Sequence, residues 1–200
     1  MRLDDIKCIV LLFSGLACMQ TAAAQTPVEK EAHHKIVLKN EWVRVLEGRV
    51  PPGDTTPAHI HSANSVVVFL SKTGLGIRVA GQEPVVAAVA PGDIRYVDYG
   101  DKPVTHIVWA QGDSMLRFLV VELKRPKRDS CPAGPRPDIK LRLRQKQVAV
   151  YDWTPDTSQP AVLSAAACAR MVIVPATGAF TFYPPNTPVR ATKRCLVLEL

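Results

Sequence analysis

Short apolar runs rich in β-branched residues recur along the chain, each closed by a turn signal, and no long stretch carries a helical period. Runs of strand length cover 35–39, 42–50, 65–71, 75–80, 84–90, 94–97, 104–110 and 115–123. They are separated by Pro51-Pro52-Gly53-Asp54, Lys72-Thr73-Gly74, Pro91-Gly92-Asp93 and Gln111-Gly112-Asp113, residues that favour tight turns through a fixed or positive φ. Strands this short at roughly 8–12-residue spacing predict an all-β sandwich or barrel. A short helix over 28–34 is the one helical expectation.

A second run of strands begins near Ile139, where Ile139, Leu141 and Leu143 alternate with Lys140, Arg142 and Arg144. That alternation predicts one buried and one solvated face. The second run echoes the first. Val43–Glu47 recurs as 148–152, Thr56-Pro57-Ala58 as Gln159-Pro160-Ala161, 66–70 as 170–174, and Pro103-Val104 as Pro188-Val189. The clearest match is Arg117-Phe118-Leu119-Val120-Val121-Glu122-Leu123 against Arg194-Cys195-Leu196-Val197-Leu198-Glu199-Leu200. These echoes predict a duplicated unit whose second copy has lost a middle hairpin of roughly twenty residues. A copy that short cannot close its own barrel, so it is expected to pack on the first.

With 47% apolar and 22% charged residues, the chain can build a core and is not a polytopic membrane protein. Arg2 and Lys7 precede the apolar run 8–13, and Ala22-Ala23-Ala24 precedes Gln25. That arrangement reads as a secretory leader over 1–24, cut after Ala24, and predicts a periplasmic or secreted protein. The leader is charge-balanced, so the net +7 stays with the remainder. Its source is one segment: residues 124–146 hold nine lysines and arginines against Asp129 and Asp138. Without interleaved aromatics this segment does not suggest nucleic acid; it protects an edge strand, or makes weak contact with an anionic membrane surface. Three cysteines follow the leader: Cys131, Cys168 and Cys195. Cys168 and Cys195 could form a disulfide in an oxidising compartment.

The candidate chemistry lies in the histidines. His33 and His34 stand outside any motif and are expected to be solvated or incidental. His59 and His61 are two apart in extended chain, so both rings project from one face and can converge on one cation. Gly53-x5-His59-x-His61, an apolar strand and Gly74 resemble the first motif of the cupin superfamily. Pro91-Gly92-Asp93, His106, Gly112 and the strand ending Glu122-Leu123 resemble its second.

The resemblance implies a cupin-like double-stranded β-helix (jelly-roll) barrel at 25–123, a basic proline-rich linker at 124–138, and a degenerate, truncated second unit at 139–200. It also implies a divalent transition metal (iron, zinc, manganese, nickel or copper) held by His59, His61 and His106. The family's glutamate is absent, since Ser65 and Val66 stand where it is expected, and His106 lies three residues late. The three-histidine site is therefore expected to be neutral. Asn64 or Ser65 could hold water in the glutamate's place, Gln111 could reach a histidine nitrogen, and Tyr96, Tyr99 and Trp109 could line the pocket. The echo sets Val162, Ser164 and Ala191 at the histidine positions of the second copy, which is thereby excluded as a metal site. Two functions follow: a metal-dependent, dioxygenase-like oxidoreductase acting on a small organic molecule, or a non-catalytic barrel that binds a small ligand or stabilises a partner. A homodimer is compatible with either.

Overall fold

The structure is a computed structural model that describes residues 25–125, 138–155 and 161–200. The expected leader, most of the basic linker and Cys131 lie outside the described residues. From the N-terminus the strands are β1 (Thr26–Pro27), β2 (His34–Lys39), β3 (Val43–Val50), β4 (His59–His61) and β5 (Ser65–Phe69). There follow β6 (Thr73–Val79), β7 (Val85–Val89), β8 (Ile94–Val97), β9 (Val104–Gln111) and β10 (Leu116–Leu123). The second part contributes β11 (Ile139–Arg144), β12 (Ala149–Trp153), β13 (Ala161–Leu163), β14 (Arg170–Val174), β15 (Ala179–Tyr183), β16 (Val189–Ala191) and β17 (Cys195–Glu199). In place of the short helix expected over 28–34 there is a 3-10 turn at Val28–Lys30, and β2 begins at His34. No helix among the described residues is long and apolar enough to cross a membrane.

The strands form two sheets in each part. The first part pairs β1-β4-β9-β6-β7 in one sheet and β2-β3-β10-β5-β8 in the other. The second part has β11-β12-β17-β14-β15 and the two-stranded β13-β16. The large sheet of the second part repeats the strand order of β2-β3-β10-β5-β8, and β13-β16 repeats β4-β9. Among the described residues β6 and β7 have no counterpart in the second part, in agreement with the expected loss of a hairpin. The second unit is thus a truncated copy of the first.

The four sheets are stacked through three cores. Leu46, Phe69, Leu116, Phe118 and Val120 face Leu75, Val89, Val108 and Ala110 to fill the first barrel. On the other face of the same sheet, Val43, Val45, Val66, Val68, Leu119 and Val121 pack against Val150, Met171, Ile173, Leu196 and Leu198 of the second copy. β10 is therefore buried on both faces, which explains its nearly unbroken apolar sequence. The third core joins Trp153, Leu163, Val172, Val189, Cys195 and Val197.

Strand pairing corrects the sequence alignment of the copies in two places. Glu122 lies opposite Ser65 and Glu199 opposite Arg170, so Ser65, not Val66, corresponds to Arg170. His59 lies opposite His106 and Ala161 opposite Ala191, so the counterparts of His59 and His61 are Ala161 and Leu163, not Val162 and Ser164. A one-residue slip exchanges the two faces of a strand; accordingly Leu163 is buried and Val162 exposed. The alternation expected in β11 is also broken, because a register irregularity between Leu141 and Leu143 leaves Leu141 exposed.

Cys168 and Cys195 are both buried and are not joined to each other by a disulfide. Burial pushes the Cys195 thiol up to about 12, so it stays protonated as part of the apolar core.

Candidate metal centre

β4 and β9 are neighbours, with His59 directly opposite His106. The approach to β4 is fixed by Thr56, whose N–H donates to the Val108 carbonyl at 2.8 Å and whose hydroxyl accepts from the Val108 N–H at 2.9 Å. Alternation then turns His59 and His61 inward together and leaves Ile60 between them partly exposed. The His106 ring lies 4.8 Å from both His59 and His61, centroid to centroid. The rings of His59, His61 and His106 thus lie side by side inside the barrel.

A fourth ring joins them. His34, expected to be solvated, is buried, with its centroid 4.8 Å from His59 and 5.8 Å from His61. His34, His59 and His61 can each present one ring nitrogen, all within 4.8 Å of one another, and form a triad that could hold a metal ion. The apolar run alone predicts a strand that starts at Lys35. Begun at His34, the strand puts that ring opposite Gly48. Gly48 is required there because a Cβ would stand 2.2 Å from the Phe118 ring, which in turn packs edge-on to His34.

The hydrogen bonds prepare these rings for a cation. His34 donates from Nδ1 to Glu31 Oε2 at 2.5 Å, and His59 donates from Nδ1 to the Pro57 carbonyl at 2.8 Å. Both acceptors lack protons to give, so each ring in its neutral form carries its hydrogen on Nδ1 and a lone pair on Nε2. Both Nε2 atoms are buried without a hydrogen-bond partner, as is Nδ1 of His106. Three orphaned buried nitrogens on clustered rings are costly unless a ligand satisfies them, so the residues fit a divalent metal. Burial, with repulsion from neighbouring imidazoles, holds His61 down to about 2 and His106 to about 3. Burial lowers His59 as well. These rings are neutral at ordinary pH, the form that binds a metal.

Ser65 and Val66 leave the family's glutamate position without a carboxylate, but one stands behind the cluster from another direction: Glu31, whose side chain is wholly buried. Burial alone would raise its carboxyl, but hydrogen bonds from His34 and His33 outweigh it and hold the group down at about 2. His33 is not incidental either. Its Nδ1 lies 2.7 Å from Glu31 Oε1 and its Nε2 2.9 Å from Asp54 Oδ2. A negative charge therefore stands one hydrogen bond behind the cluster, where sequence spacing from His61 could not reveal it.

Of the other residues singled out in the sequence, Tyr99 lines the cavity beside the cluster. Tyr96 faces the central core instead, and Trp109 covers Gly76 and donates to Gln111, which leaves Gln111 away from the histidines. Asn64 bonds Gln147 and Gly100, and Ser65 bonds the Ala63 carbonyl. The cavity has a volume of about 120 Å³, and its walls are His34, His61, His106, Tyr99, Arg95 and otherwise apolar side chains.

Among its described residues the second copy has no such centre. The register places Ile139, Ala161, Leu163 and Ala191 where the first copy has His34, His59, His61 and His106. All four belong to its own apolar core. The opposite swap occurs beside them: Gly48 and Phe118 become Trp153 and Cys195, so the large side chain changes strands.

No known family model matches the sequence, and no curated protein matches it. Solved structures do. A cupin domain from Bordetella pertussis is 27% identical over 50% of this chain and 98% of its own, with a TM-score of 0.41. An RmlC-like cupin with a double-stranded β-helix fold from Methanocaldococcus jannaschii is 20% identical over 48% of this chain and 81% of its own, at 0.39. YhhW from Escherichia coli is 11% identical but aligns over 84% of this chain and 88% of its own, at 0.55. The chain is all-β and shares its fold with YhhW over most of its length. The YhhW likeness spans both halves, in keeping with the repeated strand order.

Proposed function

We propose that the protein binds one divalent transition metal on His59, His61 and His106, with His34 as a further ligand, and uses it in oxidative chemistry on a small organic molecule. The observation that carries this reading is the set of buried, partnerless nitrogens on His34, His59 and His106. A bound ion would supply Lewis-acid polarisation and, if redox-active, electron exchange. The chain's own part is to hold the rings in one tautomer through Glu31 and the Pro57 carbonyl, and to keep water from the apolar cavity. The choice among iron, zinc, manganese, nickel and copper is left to experiment, because imidazole accepts each of them.

The leader pattern at 1–24 supports export to the periplasm or beyond. A second reading, a binding barrel without turnover, is favoured by the cavity wall, which offers only Tyr99 and Arg95 as polar groups besides the histidines.

Elemental analysis of protein purified without a metal-binding tag tests the proposal. About one equivalent of a transition metal is expected, lost in His59→Ala/His61→Ala together with oxygen consumption on supply of substrate candidates. Protein that carries no metal and takes none on reconstitution overturns it. Stoichiometric metal without oxygen consumption selects the second reading.

A further inference from the structure

We propose that the cavity beside the histidine cluster takes a small organic monocarboxylate whose carboxylate is anchored by Arg95. The inference rests on the reading of this cavity as the ligand site, and adds the ligand's chemical class.

Arg95 lies on the inner wall of the barrel. In β8, Ile94 and Tyr96 pack into the core shared with the second copy, while Arg95 and Val97 line the cavity. The β5 partner of Arg95 is Val67, another lining residue. Alternation thus puts a guanidinium where an apolar side chain would complete the wall. The side chain is exposed at the cavity mouth, with its guanidinium carbon 5.6 Å from the centroid of the Phe69 ring. Arg44 and Arg170, by contrast, are spent on Glu122 and Glu199. Among the described residues no carboxylate pairs with Arg95, and it is the only permanently charged side chain lining the cavity.

A guanidinium within cation–π range of an aromatic ring keeps its N–H groups free to take a carboxylate, which its planar fork can do through two parallel bonds. The remaining wall is Val67, Phe69, Leu75, Ile77 and other apolar groups. The cavity's size of about 120 Å³ is somewhat below the roughly 150 Å³ that accommodates benzene. The ligand it fits is an anion with a compact apolar body smaller than an aromatic ring, such as a short branched acid. Dianions and sugars fit poorly, since the wall offers one positive charge and few hydrogen-bonding groups.

The test uses isovalerate and isobutyrate as probes, with isovaleramide and isobutyramide as neutral counterparts, titrated into metal-free and metal-loaded protein and followed by calorimetry. The acids are expected to bind the metal-free protein about 10-fold or more tighter than the amides. Arg95→Gln should weaken the acids by a similar factor and leave metal content unchanged, and Arg95→Lys should restore part of the loss. Acid binding that is equal in Arg95→Gln, equal to that of the amides, or undetectable in both metal states overturns the proposal. If the metal content is intact in any of those cases, the histidine centre stands without it. Arg95-dependent binding by protein that takes no metal supports the carboxylate site and removes the metal reading alone.

Discussion

Glu31 and His34 form a buried carboxylate–imidazole pair, 2.5 Å from Oε2 to Nδ1, just before β2 enters the barrel. Its geometry fixes which ring nitrogen faces the cluster. Because an ionised carboxylate only accepts, His34 must keep its proton on Nδ1 and offer Nε2. An amide in the same place could turn its NH2 toward Nδ1 and drive the proton to Nε2. Glu31→Gln is therefore expected to fold, by circular dichroism, yet bind metal about 10- to 100-fold more weakly in a chelator competition. Nitrogen chemical shifts of His34 should report the exchanged tautomer. Unaltered affinity with unaltered shifts would show that the pair does not prepare His34 for a metal.

The buried rings also set the acid stability of the metal-free protein. His59, His61 and His106 are all held below the ordinary histidine value, His61 at about 2 and His106 at about 3. In the unfolded chain each returns to about 6.5. As pH falls below that, the unfolded chain gains protons that the folded chain refuses. Stability is thus complete above about pH 6.5 and declines below it, by about 1.4 kcal/mol per pH unit for each of His61 and His106, with His59 acting in the same direction. His33, raised by its bonds to Asp54 and Glu31 against the effect of burial, acts in the opposite sense, but as one group against three. Urea midpoints of the metal-free protein should be level from about pH 7 to 8 and fall from about 6.5 to 5. His61→Gln and His106→Gln should each flatten that fall. A midpoint that does not move with pH would contradict the neutral cluster.

The two copies place one ion pair on opposite flanks of the same strand. Glu122 of β10 pairs with Arg44 of β3 and has Ser65 on its other side. Glu199 of β17 pairs with Arg170 of β14 and has Ala149 on its other side. Arg44→Ala leaves Glu122 buried without its cation, a change that costs about 3–5 kcal/mol. The double variant Arg44→Ala/Ser65→Arg copies the second unit and should recover part of that loss in thermal unfolding. If it is no more stable than Arg44→Ala, the flanks are not interchangeable.

The central core makes the halves depend on each other. A chain ended after Arg125 would expose Val43, Val45, Val66, Val68, Leu119 and Val121, the face now covered by the second copy. An apolar sheet face of that extent promotes association. The shortened chain is expected to aggregate or sediment as oligomers, and Val66→Lys/Leu119→Lys on that background should return it to monomer. A shortened chain that is monomeric without those changes would show that the second copy is dispensable for solubility.

Much of this protein follows from local sequence. Strand length, the turns at Pro51–Asp54 and Pro91–Asp93, the inward pair His59 and His61, and the missing hairpin of the second copy all follow from two-residue periodicity and turn chemistry. These signals act over a few residues, so they survive without knowledge of the fold. Only the tertiary structure decided that His34 joins the cluster, that Glu31 supplies its charge, and that Ala161 and Leu163 are the true counterparts of His59 and His61. Each depends on where a strand starts or on its register with a distant partner. A shift of one residue turns every side chain to the other face without changing the local pattern, so the pairing of whole sheets, and not the composition of any segment, selects which rings meet.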